Sequence, residues 1–360
     1  MAIVGGNVAK YRQIFNLIST MNRVQLGNTL RQRLTVKAPR LAYRPRKLSL
    51  YITSRCNLAY NMCGYHMREA SAPYRMDTYP DMTLERCRHI MSLLPETVAV
   101  TLTGEGEPFL NENIYAMAHY IRHELGLPVD SSTNGIRLDP ARIINCGLQH
   151  LNISVDGTNP QEYATVRGGP SKHFEKVVQN VRDLVTYRNR VGAALTISIS
   201  FIVSKTNYRS IDRMMAFGAK LGIDSIEFQN NMDFATDFAR ANPPIFDTDT
   251  EILDFLKTRR KPAGVPQVTL PVIFRARPLE NAQHPACNYP FNCIGVNTNG
   301  GVNPCCYLNT AEVYGNLFTQ ADFWNNAAFQ GIRQKFLDGQ MPFELCRTCP
   351  TLGFSSGVLE

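Results

Sequence analysis

The chain lacks a long apolar run and a recognisable export segment. No stretch approaches the roughly 18 consecutive apolar residues of a membrane span. The opening MAIVGGNVAKYRQ has no charged start followed by an apolar stretch and a small-residue cleavage site, so it does not resemble a signal peptide. We therefore expect a cytoplasmic protein. In that reducing compartment, clustered cysteines are more often metal ligands than disulfides.

The sequence also lacks internal repeats and low-complexity tracts. Its hydrophobic fraction of 44% and charged fraction of 19% exclude a disordered or collagen-like protein. A chain of 360 residues can bury a sizeable core without disulfides. The ten cysteines therefore need another explanation than covalent cross-links.

Acidic residues are missing from the first 47 positions, although these carry ten of the basic side chains. Since the whole chain has a net charge of +8, the other 313 residues sum to about −2 (8 − 10). The apolar residues there indicate a helix with one apolar face: Ile14, Phe15, Leu17, Ile18, Met21 and Val24. A basic arm suits an anionic membrane, a nucleic acid or an acidic substrate. The plainer interpretation is a helix packed on the main domain with its basic side in solvent.

From Leu48 onward the sequence alternates between strand and helix patterns, which is typical of parallel α/β architecture. About six strand–helix units fit, against eight in a full barrel, so the pattern predicts a partial (β/α)6 TIM-like barrel. The predicted strands are LSLYIT at 48–53, then 97–103, 127–131, 150–156, 194–203 and 225–229. The predicted helices are 83–94, 112–125, 139–145, 173–190, 209–221 and, further on, 248–259.

Composition shifts divide the chain into five predicted parts. They are a basic helical arm at 1–46, the partial barrel at 47–235, a connector rich in Pro, Asp and Asn at 236–285, a small cysteine-rich domain at 286–352 and a tail at 353–360.

The first cysteine pair lies in the loop TSRCNLAYNMCGYH, directly after the first predicted strand. Cys56 and Cys63 would therefore sit at the carboxyl end of a strand, the face that carries the chemistry in α/β barrels. Thiolates close together on an irregular loop suit iron–sulfur ligation. Two thiolates on their own do not specify a cluster.

This loop resembles the Cys-x3-Cys-x2-Cys motif of the radical S-adenosylmethionine (SAM) superfamily, and Ser54–Leu58 match its "SRCNL" opening. The resemblance implies that three thiolates hold a [4Fe-4S] cluster whose fourth iron binds SAM. Reductive cleavage of SAM then yields a 5′-deoxyadenosyl radical that abstracts a substrate hydrogen. It also implies that Met62 packs near the adenine.

Tyr60 stands where this motif has its middle cysteine. A phenol has an ordinary pKa near 10 and is a hard oxygen ligand, a poor substitute for thiolate. Three explanations stay open. Tyr and Cys codons differ by one base, so the residue could be a substitution in an active lineage. The chain could be a pseudoenzyme without the barrel cluster. Least favoured, Tyr60 or another residue supplies the third ligand.

Further matches to the family do not involve cysteine. Gly104-Glu105-Gly106-Glu107 resembles its glycine–glutamate motif, with Glu107 expected at the SAM amino group and the glycines allowing close backbone approach. Ser132 and Asn134 follow the third strand, where the family contacts the SAM ribose or carboxylate. Further implied SAM-binding residues are Ser154, Asp156 and Arg167, the last expected to pair with the SAM carboxylate.

The second cysteine constellation resembles the SPASM or twitch auxiliary-cluster domain. Its implied ligands are Cys287, Cys305, Cys346 and Cys349, and their number favours the twitch form with one auxiliary [4Fe-4S] cluster. Gly300 and Gly301 predict a hairpin turn that brings Cys287 and Cys305 together. The alternative is structural zinc, which also takes four thiolates. Cys293 and Cys306 are spare thiols that could join the ligand set, whereas Cys87 and Cys146 are predicted to be buried.

Together these features predict a radical SAM enzyme with an auxiliary cluster. Its substrate would be a small aminocyclitol or sugar-like molecule, or a peptide, and its reductant a flavodoxin or ferredoxin. One alternative is a catalytically disabled SAM-fold binding protein, to which Tyr60 points. Another is an RNA-modifying enzyme, to which the basic arm and the pI near 9.0 point. The arm also suits peripheral membrane contact.

Overall fold

The computed structural model describes residues 21–58, 62–63, 79–167, 170–234, 236–261, 263–264, 267–276, 287–308, 314–355 and 357–359. Tyr60 and most of the predicted apolar arm helix lie outside these ranges.

Seven strands pair in parallel in the order of the chain and form the wall of an open barrel. They are β1 (Lys47–Tyr51), β2 (Ala99–Thr103), β3 (Val129–Thr133), β4 (His150–Ser154), β5 (Thr196–Val203), β6 (Ser225–Asn230) and β7 (Gln267–Thr269). Since parallel neighbours need a crossover, helices cover the outer face of the sheet. The predicted α/β partial barrel is confirmed.

Short strands from later in the chain extend this sheet at both edges. Beside β1 runs β9 (Cys293–Asn297), parallel to it, and then the antiparallel β10 (Val302–Asn303). Beside β7 runs β12 (Val358–Leu359), while β8 (Val272–Ile273) and β11 (Phe354–Ser355) form a separate pair. The turn between β9 and β10 has Gly300 at φ +80°, which confirms the predicted hairpin.

The helices match the predicted segments closely. They are α1 (Arg23–Leu34), α2 (Leu84–Leu93), α3 (Ile114–His119), α4 (Pro140–Asn145), α5 (Pro160–Arg167), α6 (Lys172–Val191), α7 (Ile211–Leu221), α8 (Asp237–Ala241), α9 (Thr250–Lys257), α10 (Tyr289–Asn292) and α11 (Ala327–Leu337). Four of these helices, α5, α8, α10 and α11, were not predicted from the sequence. None of the helices in the described ranges is long and apolar enough to span a bilayer.

The two faces of the sheet differ in polarity. Leu50, Leu102 and Ile199 are fully buried in the apolar core. Because side chains alternate along a strand, the intervening positions point into the barrel. Many of these are polar, for instance Asn152 on β4 and Glu227 on β6. The outer face of the barrel sheet is therefore apolar, and its lumen is polar.

A buried arginine joins the amino-terminal segment to the cysteine-rich domain. Arg333 is fully buried on α11 and lies over the ring of Trp324, with its guanidinium carbon 4.2 Å from the ring centroid. Its guanidinium donates to the carbonyls of Pro290 (2.8 Å) and Pro39 (3.0 Å) and to the side chain of Asn325 (3.2 Å). Burial lowers its pKa to about 10. One side chain thus fastens three segments that are distant in sequence.

We expect Arg333→Met to destabilise the protein by about 2–4 kcal/mol, because buried carbonyls lose their donors. The free energy of unfolding from denaturant titration measures this. Arg40→Met is the matched control: it removes an exposed ion pair with Asp322 and should cost under about 1 kcal/mol. Equal losses in the two variants would contradict a fastening role for Arg333.

Candidate functional site

The loops that follow β1 and β2 stack against each other through their backbones. The amide of Gly106 donates to the carbonyl of Thr53 (3.3 Å), and the amide of Glu107 donates to that of Arg55 (2.8 Å). A Cβ on Gly104 would lie 2.5 Å from the Thr53 carbonyl oxygen, and one on Gly106 would overlap the Arg55 backbone. Both glycines are therefore required so that the second loop can approach the cysteine loop.

Hydrogen bonds and an ion pair between polar side chains stabilise the cysteine loop. Arg55 forms an ion pair with Asp81 and donates to the carbonyl of Leu110 (2.9 Å), while the Thr53 hydroxyl donates to Asp81 (2.7 Å). Burial raises the pKa of the Asp81 carboxyl, but hydrogen bonds from Arg55 and Thr53 outweigh it and hold the pKa below its ordinary value. Asp81 therefore stays ionised at neutral pH and keeps Arg55 in place.

Glu107 links the loops of three strands. Its carboxylate accepts from the Thr133 hydroxyl (2.7 Å), the Asn134 amide (2.7 Å) and the Phe109 amide (3.1 Å). Asn134 in turn donates from its side chain to that of Asn57 (2.8 Å) in the cysteine loop. Burial raises the pKa of Glu107, and these hydrogen bonds oppose the shift. The predicted SAM residues Glu107 and Asn134 therefore lie together, with Glu107 almost fully buried.

Asp156 and Arg167 form a buried ion pair at the ends of β4 and α5. Asp156 also accepts from the amide of Ile202 (2.7 Å). Both side chains were predicted to bind SAM. The structure gives them each other as partners, so contact between Arg167 and a SAM carboxylate stays a prediction. Nearby, Ser154 accepts a long hydrogen bond of 3.4 Å from the Ser200 hydroxyl, and Ser132 is half-buried at the end of β3.

The described cysteines of the first loop lie within this polar assembly. Burial raises the pKa of Cys56 to about 11, negative charge at Glu107 and Cys63 adds to the rise, and Arg167 opposes it. Cys63 and Met62 are half-buried. A thiol protonated at neutral pH becomes a thiolate on binding iron, so cluster assembly here releases protons. The described donor set fits two corners of an iron–sulfur cluster.

The second set of cysteines converges beside the barrel. Burial raises the pKa of Cys287 to about 12, and Cys349, Cys305 and Cys346 add to the rise through their charge. The sequence-predicted ligand set is therefore brought together, and the exposed Cys306 borders it, since the thiols of Cys305 and Cys306 interact.

Within the described ranges, no group of three or more His, Cys, Asp or Glu side chains is arranged to hold one metal ion. The two predicted buried thiols, Cys87 and Cys146, are indeed buried.

Two tyrosines lie near the auxiliary cysteines, and the amide of Tyr289 donates to the Cys287 sulfur (3.4 Å). The Tyr289 hydroxyl lies 3.1 Å from the Ser49 hydroxyl on β1. Burial raises the pKa of Tyr307 well above its ordinary value, and the charges of Cys306, Cys349, Cys305 and Glu227 raise it further. Tyr307 therefore lies near both the auxiliary cysteines and the lumen carboxylate of Glu227.

The lumen itself is lined by polar groups that the sequence analysis missed. Asn152 donates to Glu227 (3.4 Å), and His150 lies 2.7 Å from the Ser198 hydroxyl. Burial raises the pKa of Asp130, while Thr101, His150 and Lys47 oppose the shift. The sequence pattern could have predicted them, because polar residues at every second position of HLNIS and SIEFQ indicate a hydrophilic inner face.

A cavity of about 290 Å³ lies where the end of β6 meets the cysteine-rich domain. Its lining includes Asp233, Phe246, Arg275 and Cys346, and the Asp233 amide donates to the Thr348 hydroxyl across it (3.0 Å). A void large enough for a small polar molecule therefore borders one of the predicted auxiliary ligands.

Comparison with known families agrees with this geometry. Residues 50–218 match the family model described as the radical SAM superfamily, and residues 287–350 match SPASM, an iron–sulfur cluster-binding domain. The chain carries a radical SAM domain followed by a SPASM domain. It belongs with an enzyme family that uses SAM and a [4Fe-4S] cluster and, through SPASM, auxiliary iron–sulfur clusters. The predicted family and cofactors are confirmed, whereas the individual ligands and the number of auxiliary clusters stay predictions.

Characterised relatives differ from one another in chemistry. The chain is 24% identical over 303 residues to a tungsten-containing aldehyde ferredoxin oxidoreductase cofactor-modifying protein of Pyrococcus furiosus, covering 81% of this chain and 79% of that one. It is 32% identical to the GTP 3',8-cyclase of Peptoclostridium acidaminophilum over 38% of this chain and 41% of the cyclase. It is 27% identical to the AdoMet-dependent heme synthase of Methanosarcina barkeri over about half of each chain (49% and 48%).

Solved structures share the fold at low sequence identity. Streptococcus suis SuiB bound to its precursor peptide SuiA superposes with a TM-score of 0.62 at 14% identity, covering 92% of this chain and 73% of SuiB. The protein anSMEcpe with bound AdoMet superposes with a TM-score of 0.58 at 16% identity, covering 88% and 89%. These likenesses show the fold of both domains.

We expect Gly106→Ala to destabilise the stacked loops and weaken SAM binding at least tenfold, because the added methyl overlaps the Arg55 backbone. Isothermal titration with SAM and the thermal midpoint measure this. Gly331→Ala is the control, since its methyl meets nothing within 4 Å and replaces a glycine inside α11. It should leave SAM binding unchanged and stabilise the chain slightly, by about 0.5–1 kcal/mol. Unchanged SAM affinity in Gly106→Ala would contradict the stacking argument.

Proposed function

We propose that this protein uses SAM to abstract a hydrogen atom from a polar small molecule or peptide bound in the barrel lumen. The observation that carries the proposal is the joining of the cysteine loop to Glu107 and Asn134 at the carboxyl edge of the sheet. This is the edge at which α/β barrels place their chemistry. When bound, the cluster supplies one electron that cleaves SAM into methionine and a 5′-deoxyadenosyl radical.

The chain's own residues hold and shield the reacting groups. Cys56 and Cys63 are the proposed thiolate ligands of the barrel cluster. The backbone of Gly104–Glu107 and the side chain of Asn134 are the proposed seat of SAM, with Met62, Ser132 and Ser154 around it. Glu107, whose carboxylate already accepts three hydrogen bonds, acts by fixing these loops. Preorganised polar groups orient a bound cofactor at no further reorganisation cost.

The lumen supports a polar substrate. Glu227 and Asn152 face it as a hydrogen-bonded pair on β6 and β4, and Tyr307 lies near Glu227 on the side of the auxiliary cysteines. A carboxylate beside an amide suits a substrate that presents amino or hydroxyl groups. Cys287, Cys305, Cys346 and Cys349 are the proposed auxiliary ligands. A cluster there would be placed to take the electron that the substrate radical releases, and a ferredoxin or flavodoxin would supply the first electron.

Tyr60 favours a second candidate function. If the barrel cluster needs three thiolates, the chain as written binds SAM and an auxiliary cluster but forms no radical. SAM binding would then serve recognition alone. Both functions use the same loops, so the distinction depends on the cluster and not on the fold.

SAM cleavage by the anaerobically reconstituted protein separates the two. With dithionite, we expect the full chain to produce 5′-deoxyadenosine, Tyr60→Cys to produce it faster, and Cys56→Ala to produce none. Chromatographic quantification of 5′-deoxyadenosine is the measurement. Product from Tyr60→Cys alone would favour the binding protein. No product from any of the three would overturn the proposed enzyme.

The auxiliary site is tested by iron analysis. We expect Cys287→Ala to lose about four irons per chain relative to its parent, because a ligand of the second cluster is removed. Cys146→Ala also removes a buried thiol, but one that is predicted to lie outside either cluster, and it should retain the parent's iron. Equal iron in the two variants would exclude Cys287 as a ligand.

A further inference from the structure

Helix α1 docks on the rest of the protein through its polar face. Gln25 donates to the carbonyl of Thr97 (2.7 Å), and Gln32 donates to the side chain of Asn292 (2.9 Å). Asn28 exchanges two hydrogen bonds with the backbone of Arg44, accepting at 2.8 Å and donating at 3.0 Å. A surface helix ordinarily buries its apolar stripe. Here hydrogen bonds to side-chain amides hold the helix instead.

The outward side of this segment exposes apolar side chains. Val24 and Leu30 are each 50% exposed, Leu34 is 83% exposed and Val36, just beyond the helix, is 84% exposed. Leu30 and Leu34 are four residues apart and therefore adjacent on the helix surface. Among the described residues, these four are the most exposed large apolar side chains. The next are Val191 (48% exposed), Leu125 (39%) and Leu337 (37%). Adjacent exposed leucines of this kind are a candidate binding surface.

Basic side chains lie on the same exposed side of α1, among these apolar ones. Arg23, Arg31 and Arg33 belong to α1, and the segment 21–47 contains no Asp or Glu. Within the described part of the chain, none of these three arginines takes part in an ion pair. The occupant of the face must therefore satisfy both exposed leucines and unpaired positive charge.

The position of α1 leaves the candidate site open. The residues that α1 contacts precede strands: Arg44 comes before β1, Thr97 before β2 and Asn292 before β9. The helix therefore lies at the amino ends of the strands, and the cysteine loop lies at their carboxyl ends. A partner on α1 would not obstruct SAM or substrate.

We propose that α1 and Val36 form a docking surface for an anionic phospholipid membrane. On an exposed helix face that mixes leucines and arginines, the leucines can enter the headgroup boundary while the adjacent guanidinium groups contact lipid phosphates. An RNA partner would engage the arginines but leave Leu34 and Val36 exposed to water. The combination of the two features therefore favours a lipid surface. This proposal is independent of the radical chemistry.

Vesicle sedimentation with the full chain tests it. We expect binding to vesicles of equimolar phosphatidylcholine and phosphatidylglycerol and little binding to phosphatidylcholine alone. Leu30→Ser/Leu34→Ser should weaken binding at least about tenfold, since two leucines no longer leave water. Arg31→Gln/Arg33→Gln should weaken it about fivefold per charge removed. All four side chains lie on the outer face, so circular dichroism should show unchanged folding.

A matched control removes one charge and one exposed apolar group elsewhere. Arg182→Gln/Val191→Ser changes exposed side chains of α6, which packs with α4, α5 and α7, and should bind like the parent. Failure of the full chain to sediment with anionic vesicles would overturn the proposal, as would undiminished binding by Leu30→Ser/Leu34→Ser. Salt-sensitive binding to single-stranded RNA without vesicle binding would assign the face to RNA.

Discussion

The arrangement of the candidate site depends on one buried carboxylate. Glu107 is removed from water, which is costly for a charge unless hydrogen bonds compensate it. Thr133, Asn134 and Phe109 provide those bonds, and the amide of Glu107 itself is held by the cysteine loop. The loops after β1, β2 and β3 therefore assemble as a unit. If the glycines beside Glu107 carried side chains, this approach would be sterically blocked.

The same chain separates two kinds of surface. Polar groups lie inside the barrel, for instance Asn152 and Glu227, and at the carboxyl ends of the strands, where Glu107 joins the loops. At the opposite ends, the amino-terminal segment is fastened by hydrogen bonds and by the buried guanidinium of Arg333. The proposed docking surface and the candidate site therefore lie at opposite ends of the same strands.

Much of this could be predicted from the sequence because local patterns carry it. The sequence predicted the strands with period-two alternation, amphipathic helices such as α6 and the turn at Gly300. It also predicted both cysteine sets. What the sequence could not give were effects of tertiary pairing. The three residues of β7 show no strand pattern in the sequence. They form a strand because they pair with the edge of β6. Likewise, nothing local shows that Arg167 meets Asp156 or that α1 buries its amides instead of its leucines.

The most direct test of the central account is the Mössbauer spectrum of Tyr60→Cys, reconstituted anaerobically and recorded with and without SAM. The account predicts about eight irons per chain in two [4Fe-4S] clusters. Only one of these clusters should change its spectrum when SAM is added, because SAM binds at the Cys56 loop and not at the auxiliary cysteines. About four irons with a spectrum indifferent to SAM would contradict it, since the loops joined by Glu107 would then hold no cluster even with the third thiolate restored.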